Sequence, residues 1–194
     1  MSKRAIVLLA EGFEEVEAVT PIDYLRRAGV ELATAAIGKN KLVNGSHGIQ
    51  ICADTTLGAL LEDGKLSAFT WDCVVVPGGL PGSDNLAVSA ETQKFLKEMD
   101  CAGKLICAIC AAPARVLAPL GLLKGKKFTC YPGEEKKVAD GEWKQDRVAA
   151  DGNIITSRGA GTAGEFSCAI IDALLGGGEG KKIAKKVLLA GYGI

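Results

Sequence analysis

Short apolar runs alternate with helix-spaced apolar positions along this chain, and that alternation predicts its elements. Residues 5–10 (AIVLLA) form a continuous apolar run of strand length, as expected for a strand covered on both faces. After Gly12, Glu14, Glu15 and Glu17 fall in the first turns of a helix, where acids are favoured. Val16, Val19, Ile22 and Leu25 recur at threes and mark its apolar face; Pro21 predicts a kink, and Gly29 ends it. Residues 32–37 predict a second strand, and the turn-rich stretch 38–48 carries Asn44–Gly45, a hairpin or loop signal. A short strand at 49–53 and a short helix at 57–61 follow. Residues 73–76 (CVVV) predict another buried strand, stopped by Pro77-Gly78-Gly79, and a helix runs from Ser83 or Ser89 to Met99.

The stretch 104–112, KLICAICAA, organises the rest. Its apolar run predicts a strand over 104–109, Cys110 falls on the turn, and AAPARVLAPLG starts a helix. Strand pieces at 127–130 and 148–150 flank a polar excursion. Residues 153–157 (NIITS) give the last clear strand, followed by a helix to about residue 175 and an amphipathic helix over 181–189. Strands alternating with helices predict an α/β fold, a doubly wound and mostly parallel sheet with helices on both faces. No repeat or linker divides the chain, so residues 1–194 are expected to form a single domain.

Composition narrows the function classes. With 48% apolar and 24% charged residues, the 194-residue chain can bury a sizeable core. Lys+Arg and Asp+Glu number 23 each and aromatics are 5%, so neither a basic field nor a stacking surface points to nucleic acid. No apolar run approaches the about 18 residues that span a bilayer, and the N-terminus lacks a cleavage pattern. Seven irregularly spaced cysteines suggest reduced thiols and a cytoplasmic setting. One histidine, and no Cys/His cluster beyond Cys107-x-x-Cys110, argue against a metal.

A cysteine on a strand-to-helix turn has the layout of a nucleophile elbow. A free thiol has a pKa of about 8.5, which a helix start can lower to roughly 3.5–7.5. In open α/β sheets ligands bind outside the carboxyl ends of the strands. Four strands end in chemically interesting turns: Gly12–Glu17, Pro77-Gly78-Gly79, Cys110 and Ser157-Arg158-Gly159. If these strands are parallel, the turns share one rim. Glu17 is then the candidate acid/base partner of Cys110, and an acid in an apolar pocket is pushed up and stays protonated. Backbone N–H groups of Gly79 and Ala111, with Gly78 beside them, are the candidate oxyanion donors.

At these residues the chain resembles the DJ-1 branch of the DJ-1/ThiJ/PfpI superfamily over nearly its whole length. The matching pieces are KRAIVLLAEGFEEVE, LRRAG, VVVPGG, LICAICAAP and DGNIITSRGAGT, in that order. The resemblance implies a flavodoxin-like sandwich, a homodimer without cofactor, Cys110 as an oxidation-prone nucleophile and Glu17 as its carboxyl partner. It matches Gly79 and Ala111 to oxyanion donors, Arg27 to an arginine near the site and dimer contact, and Cys52 to a cysteine near the dimer two-fold. It also implies glyoxalase III-type conversion of methylglyoxal to lactate without glutathione, deglycation of early glyoxal adducts, oxidative-stress sensing, and chaperoning. Tyr131 stands where some relatives have a histidine beside the cysteine, and His47 where some have an arginine. Ala111 replaces the histidine of protease-like cousins, so a peptidase is not expected.

Other motifs read more plainly. Cys107 and Cys110 form a C-x-x-C, but strand alternation points residues three apart to opposite faces, so no disulfide is expected. Gly159-Ala-Gly161-Thr-Ala-Gly164 is a G-x-G-x-x-G with too little chain after it for a dinucleotide site, and tight packing is expected instead. His47 is read as solvated or at a dimer edge, with Arg158 and Tyr131 as supporting residues. Cys73, Cys101, Cys130 and Cys168 are read as packing residues. The expected reaction is addition of the Cys110 thiolate to an α-oxoaldehyde, with Glu17 moving protons. The alternative is a non-enzymatic sensor in which Cys110 is oxidised to sulfinate.

Overall fold

The computed structural model describes residues 2–189; the extreme ends of the expected single domain, residues 1 and 190–194, lie outside the described residues. In chain order the elements are β1 (Arg4–Leu9), α1 (Glu15–Arg27), β2 (Glu31–Ala36), β3 (Leu42–Asn44), β4 (Gln50–Cys52), β5 (Thr55–Thr56) and α2 (Leu57–Glu62). There follow β6 (Cys73–Val76), α3 (Gly82–Val88), α4 (Ala90–Cys101), β7 (Leu105–Ile109), β8 (Lys127–Phe128) and β9 (Glu142–Trp143). The chain closes with β10 (Val148–Asp151), β11 (Ile154–Ser157), α5 (Ala163–Leu175) and α6 (Glu179–Lys186).

The main sheet has seven strands in the order β10-β11-β7-β6-β1-β2-β5. Each neighbouring pair is parallel except β10–β11. The four apolar runs that predict β1, β6, β7 and β11 therefore lie side by side, with their carboxyl ends on one rim. The strands bury both faces, which is why they read as continuous apolar runs. On one face Ile6, Leu8, Val74, Val76 and Ile106 pack with Phe95, Leu96 and Met99 of α4. On the other, Val7, Leu9, Val75, Cys107 and Ile109 pack with Ala18 and Leu25 of α1 and Phe166 and Ile170 of α5. Truncating one such residue costs about 2–5 kcal/mol.

Two expectations need correction, and one choice is resolved. Of the two starts offered for the helix ending near Met99, Ser89 is the one used: its extended backbone and its hydroxyl, which accepts the N–H of Thr92, start α4, while the segment from Ser83 belongs to a separate helix, α3. The face of α1 marked by valines is not the buried one: Val16 and Val19 are 48% and 45% exposed, whereas Glu15, Glu17, Ala18, Pro21 and Leu25 are buried. Two glutamates on the inner face find polar partners there, described below. Finally, the segment after Cys110 is a π-turn (Pro113–Leu117) followed by a 3-10 turn (Ala118–Leu120), not a regular helix. Pro119 has no N–H to continue the ladder, and Gly121 leaves with φ 77°. The Asn44–Gly45 signal does mark a hairpin: β3 and β4 pair antiparallel across a loop that docks on the first turn of α1.

Candidate active site

Cys110 follows the last residue of β7 and has φ 65°, an unusual conformation for a residue with a side chain. Its N–H donates to Ser157 O at the end of β11 (3.0 Å), and its carbonyl accepts the N–H of Tyr131 (2.8 Å). The elbow is thus tied on both sides, which is what holds the strained backbone. This turn also corrects the alternation argument for Cys107. Cys110 has left the strand and packs against the same apolar cluster as Cys107. Cys107 is nevertheless separate, because its Sγ lies 3.7 Å from the Sγ of buried Cys73.

Glu17, in the first turn of α1, is 1% exposed. Its Oε2 accepts the N–H of Gly78 at 2.9 Å, and the N–H of Ala160 and the thiol of Cys110 also face the carboxyl group, each acting to lower its pKa. Burial, with help from the nearby charge of Glu14, pushes its pKa up to about 7 against these three donors. The Cys110 thiol is pushed far up, first by burial and then by the Glu17 carboxylate, while N–H groups of Ala111 and Gly79 on the sulfur act in the other direction. Two individually placed N–H groups supply favourable electrostatics at the sulfur.

The turn after β6 completes the arrangement. A side chain at Gly78 would put its Cβ 2.6 Å from both Cys110 Cβ and Glu17 Oε2. Its absence is what lets the carboxyl reach the thiol. Gly79 has φ 89°, and its carbonyl accepts the N–H of Ser83 at 2.9 Å. Of the candidate oxyanion donors, Gly79 and Ala111 face the sulfur, whereas Gly78 serves the carboxyl instead. Ala160, in the glycine-rich turn expected only to pack, is the donor that sequence reasoning missed. Its place at the end of the fourth parallel strand was the available signal.

The remaining candidates spread out. The ring of Tyr131, half exposed, borders Gly159, which in turn borders Glu17. Arg158 donates to Gln145 O (3.2 Å). Arg27 pairs with Asp23 (2.6 Å) ten residues beyond Glu17, about 15 Å along the helix axis. Exposed Cys52 lies at the end of β4. His47 approaches Glu15, not the cysteine of its own chain: its Nδ1 meets Glu15 Oε2 at 2.9 Å and its backbone N–H donates to Oε1 at 2.6 Å. Ser46 Oγ and Ile49 N–H also donate to this carboxylate. Among the described residues Glu14, Glu15 and His47 bring one ligand atom each within 4.8 Å. Glu15 is already filled by four donors and Glu14 caps the N–H of Glu17 (2.7 Å), so the group is a hydrogen-bonded latch.

A cleft of about 530 Å³ at the ends of β1 and β2, lined by Glu11, Lys39, Asn40 and Asn85, contains neither Cys110 nor Glu17. The chemistry, not cavity size, distinguishes the cysteine site. Among the described residues no helix is long and apolar enough to cross a membrane.

Comparison with known proteins identifies the family and the fold. The profile of the DJ-1/PfpI family matches residues 3–173. Drosophila melanogaster Protein dj-1beta is 40% identical over 192 residues, 98% of this chain and 99% of that protein. The crystal structure of Drosophila DJ-1beta superposes with a TM-score of 0.90, covering 98% of this chain and 100% of the other. Arabidopsis thaliana Protein DJ-1 homolog B is 40% identical over 90% of this chain, which spans only 39% of that longer protein. A Caenorhabditis elegans protein named glutathione-independent glyoxalase DJR-1.2 is 34% identical over 191 residues, 97% of each chain.

Proposed function

The chain belongs to the DJ-1/PfpI family, and from that premise we propose that it is a cofactor-independent α-oxoaldehyde enzyme. In this reading Cys110 is the nucleophile, Glu17 the general acid/base, and methylglyoxal or glyoxal the substrate. The observation that carries it is the buried Glu17 carboxyl placed beside Cys110 across the bare backbone of Gly78, where burial raises its pKa towards about 7. An acid/base is most effective when its pKa lies near the working pH. The family relative named a glutathione-independent glyoxalase supports the substrate class.

The steps balance without an external oxidant. The Cys110 proton passes to Glu17, which removes the opposing carboxylate charge and leaves the sulfur facing Gly79 N–H, Ala111 N–H and the new carboxylic O–H. The thiolate adds to the aldehyde carbon, and the alkoxide takes the proton, giving a hemithioacetal. Glu17 carboxylate then removes the hydrogen from that carbon as a proton. The electron pair moves to the adjacent carbonyl, and reprotonation of the second carbon yields a lactoyl thioester. Water cleaves the thioester to lactate and restores the thiol. The same addition to glyoxal adducts would give deglycation. Arg27, His47, Cys52, Tyr131 and Arg158 are outer residues in this scheme. Exposed Val16 and Val19, with exposed Ile49 beside the first turn of α1, favour a homodimer that would bring such residues near a second site. The proposed setting is cytoplasmic.

The test is lactate formation from methylglyoxal without glutathione, for wild type, Cys110→Ser and Glu17→Gln. Wild-type turnover no faster than that of Cys110→Ser would refute the enzyme reading. A second reading has its own support: half-buried Cys110 faces two N–H donors and a carboxyl group, a set suited to hold sulfinate oxygens. Mass spectrometry after mild peroxide tests it, and a two-oxygen gain spread over several cysteines would count against it.

A further inference from the structure

Arg115 lies in the π-turn behind Cys110, and its side chain is 21% exposed. It contacts two carboxylates, one through a single shared nitrogen and one as a bidentate fork. Nη1 donates to both carboxylate oxygens of Asp84 in α3, at 2.7 and 3.0 Å. Nε and Nη2 donate to the two oxygens of Glu134, at 2.8 and 3.1 Å. Lys137 also donates to Glu134 (2.8 and 2.9 Å). Paired, planar contacts of this kind fix orientation as well as distance.

The two acids belong to the segments that hold the sulfur's donors. Asp84 follows Ser83, whose N–H donates to Gly79 O. Glu134 N–H donates to Tyr131 O (3.0 Å), and Tyr131 N–H donates to Cys110 O. That carbonyl shares a rigid peptide plane with Ala111 N–H, so fixing the oxygen aims the donor. The backbone N–H of Arg115 itself donates to Ala111 O (3.0 Å). One guanidinium therefore bridges the support that aims Ala111 N–H and the helix that ties down the turn carrying Gly79. The N–H of Gly79 itself shares a peptide plane with Gly78 O, which is held by the N–H of Glu14 (3.0 Å).

Building on the reading of Cys110 as the reactive centre, we propose that Arg115 is a positioning residue: its clamp on Asp84 and Glu134 holds Ala111 N–H at the cysteine sulfur and braces the turn that carries Gly79. Displacing preorganised donors should slow the chemistry more than it weakens substrate binding. It should also make the thiolate harder to form, whatever the substrate.

The experiment compares wild type, Arg115→Ala, Arg115→Lys and the half-clamp variants Asp84→Asn and Glu134→Gln. The pH dependence of Cys110 alkylation by iodoacetamide is followed by mass spectrometry, with steady-state kinetics on methylglyoxal alongside. For Arg115→Ala the alkylation midpoint should rise by about half a unit or more, with kcat down roughly tenfold and KM within about twofold. Arg115→Lys should resemble Arg115→Ala, since an ammonium lacks the planar fork. Should Arg115→Ala not fold, the half-clamp variants decide, each expected to shift the midpoint in the same direction. Folded variants with the wild-type alkylation profile would overturn the clamp. If wild-type protein makes no lactate, the proposed activity fails while the alkylation profiles still judge the clamp.

Discussion

Glu15 and Glu17 stand two residues apart in one turn of α1, both buried, and the fold moves their carboxyl groups in opposite directions. Glu15 is pushed up by burial, but hydrogen bonds from His47, Ile49 and its own turn outweigh this and hold it at about 2. Glu17, beside Cys110 and Glu14, is raised to about 7. The difference is in donor supply. The hairpin loop surrounds Glu15 with four donors, whereas Glu17 has two N–H groups and a thiol in a drier place. One carboxylate is thereby fixed as a charged anchor, and its neighbour is left able to exchange a proton.

The raised group makes stability depend on pH. Glu17 in the native chain keeps a proton that an unfolded chain releases above about 4.3, so its contribution is full below that value and is lost as pH rises through about 7. The loss is on the order of 3 kcal/mol at most. Glu17→Gln should therefore flatten the fall in melting temperature between pH 5 and 8. Parallel melting curves for the two proteins would contradict the raised carboxyl.

The latch carries two windows of opposite sign. Glu15 is held low, so its contribution is complete above about 4.3 and disappears as pH falls through about 2. His47 is raised, first by its hydrogen bond to Glu15 and then by that residue's charge, so its contribution is complete below about 6.5 and lost as pH rises through the folded value. The ion pair is strongest between those limits. Against His47→Ala, wild type should show its largest stability advantage near pH 5.5, shrinking towards pH 9. Thermal melts across that range check it.

Gly78 and Gly159 both border Glu17, but only the first is tightly enclosed. An alanine at Gly78 would meet Cys110 Cβ and Glu17 Oε2 at 2.6 Å, whereas at Gly159 the nearest contacts are ordinary, at 3.6 and 3.8 Å. Displacing a reacting group by about 1 Å costs about a hundredfold in rate. Gly78→Ala should lose about that much lactate formation, and Gly159→Ala less than tenfold.

Native thiol labelling should divide the seven cysteines. Cys52 and Cys101 are exposed and should react readily; Cys73, Cys107, Cys130 and Cys168 are buried and should be protected. Burial pushes Cys130 up to about 12 and Cys168 to about 11, with nearby acids adding to both. Cys110, partly exposed, should label ahead of the four buried thiols. Peptide mapping after a short alkylation reads all seven. Labelling of Cys107 ahead of Cys110 would contradict the buried contact between Cys107 and Cys73.

By itself the sequence determined whatever depends on local pattern. Apolar runs marked β1, β6, β7 and β11, because strands covered on both faces must be apolar throughout. Their turns marked one rim, and on it Cys110, Glu17, Gly79 and Ala111. The tertiary structure decided which polar groups meet across distant segments. The valine spacing of α1 suggested one inner face, yet Glu15 and Glu17 are buried on another, because a hairpin loop and two glycine turns bring N–H groups to their carboxylates. Gly78 and Ala160 as donors to Glu17, Cys73 beside Cys107, and the bridge from Arg115 to Asp84 and Glu134 are of the same kind. Periodicity registers where apolar surface leaves water. A hydrogen bond between residues sixty positions apart leaves no period to read, and its donor is a backbone group common to almost every residue.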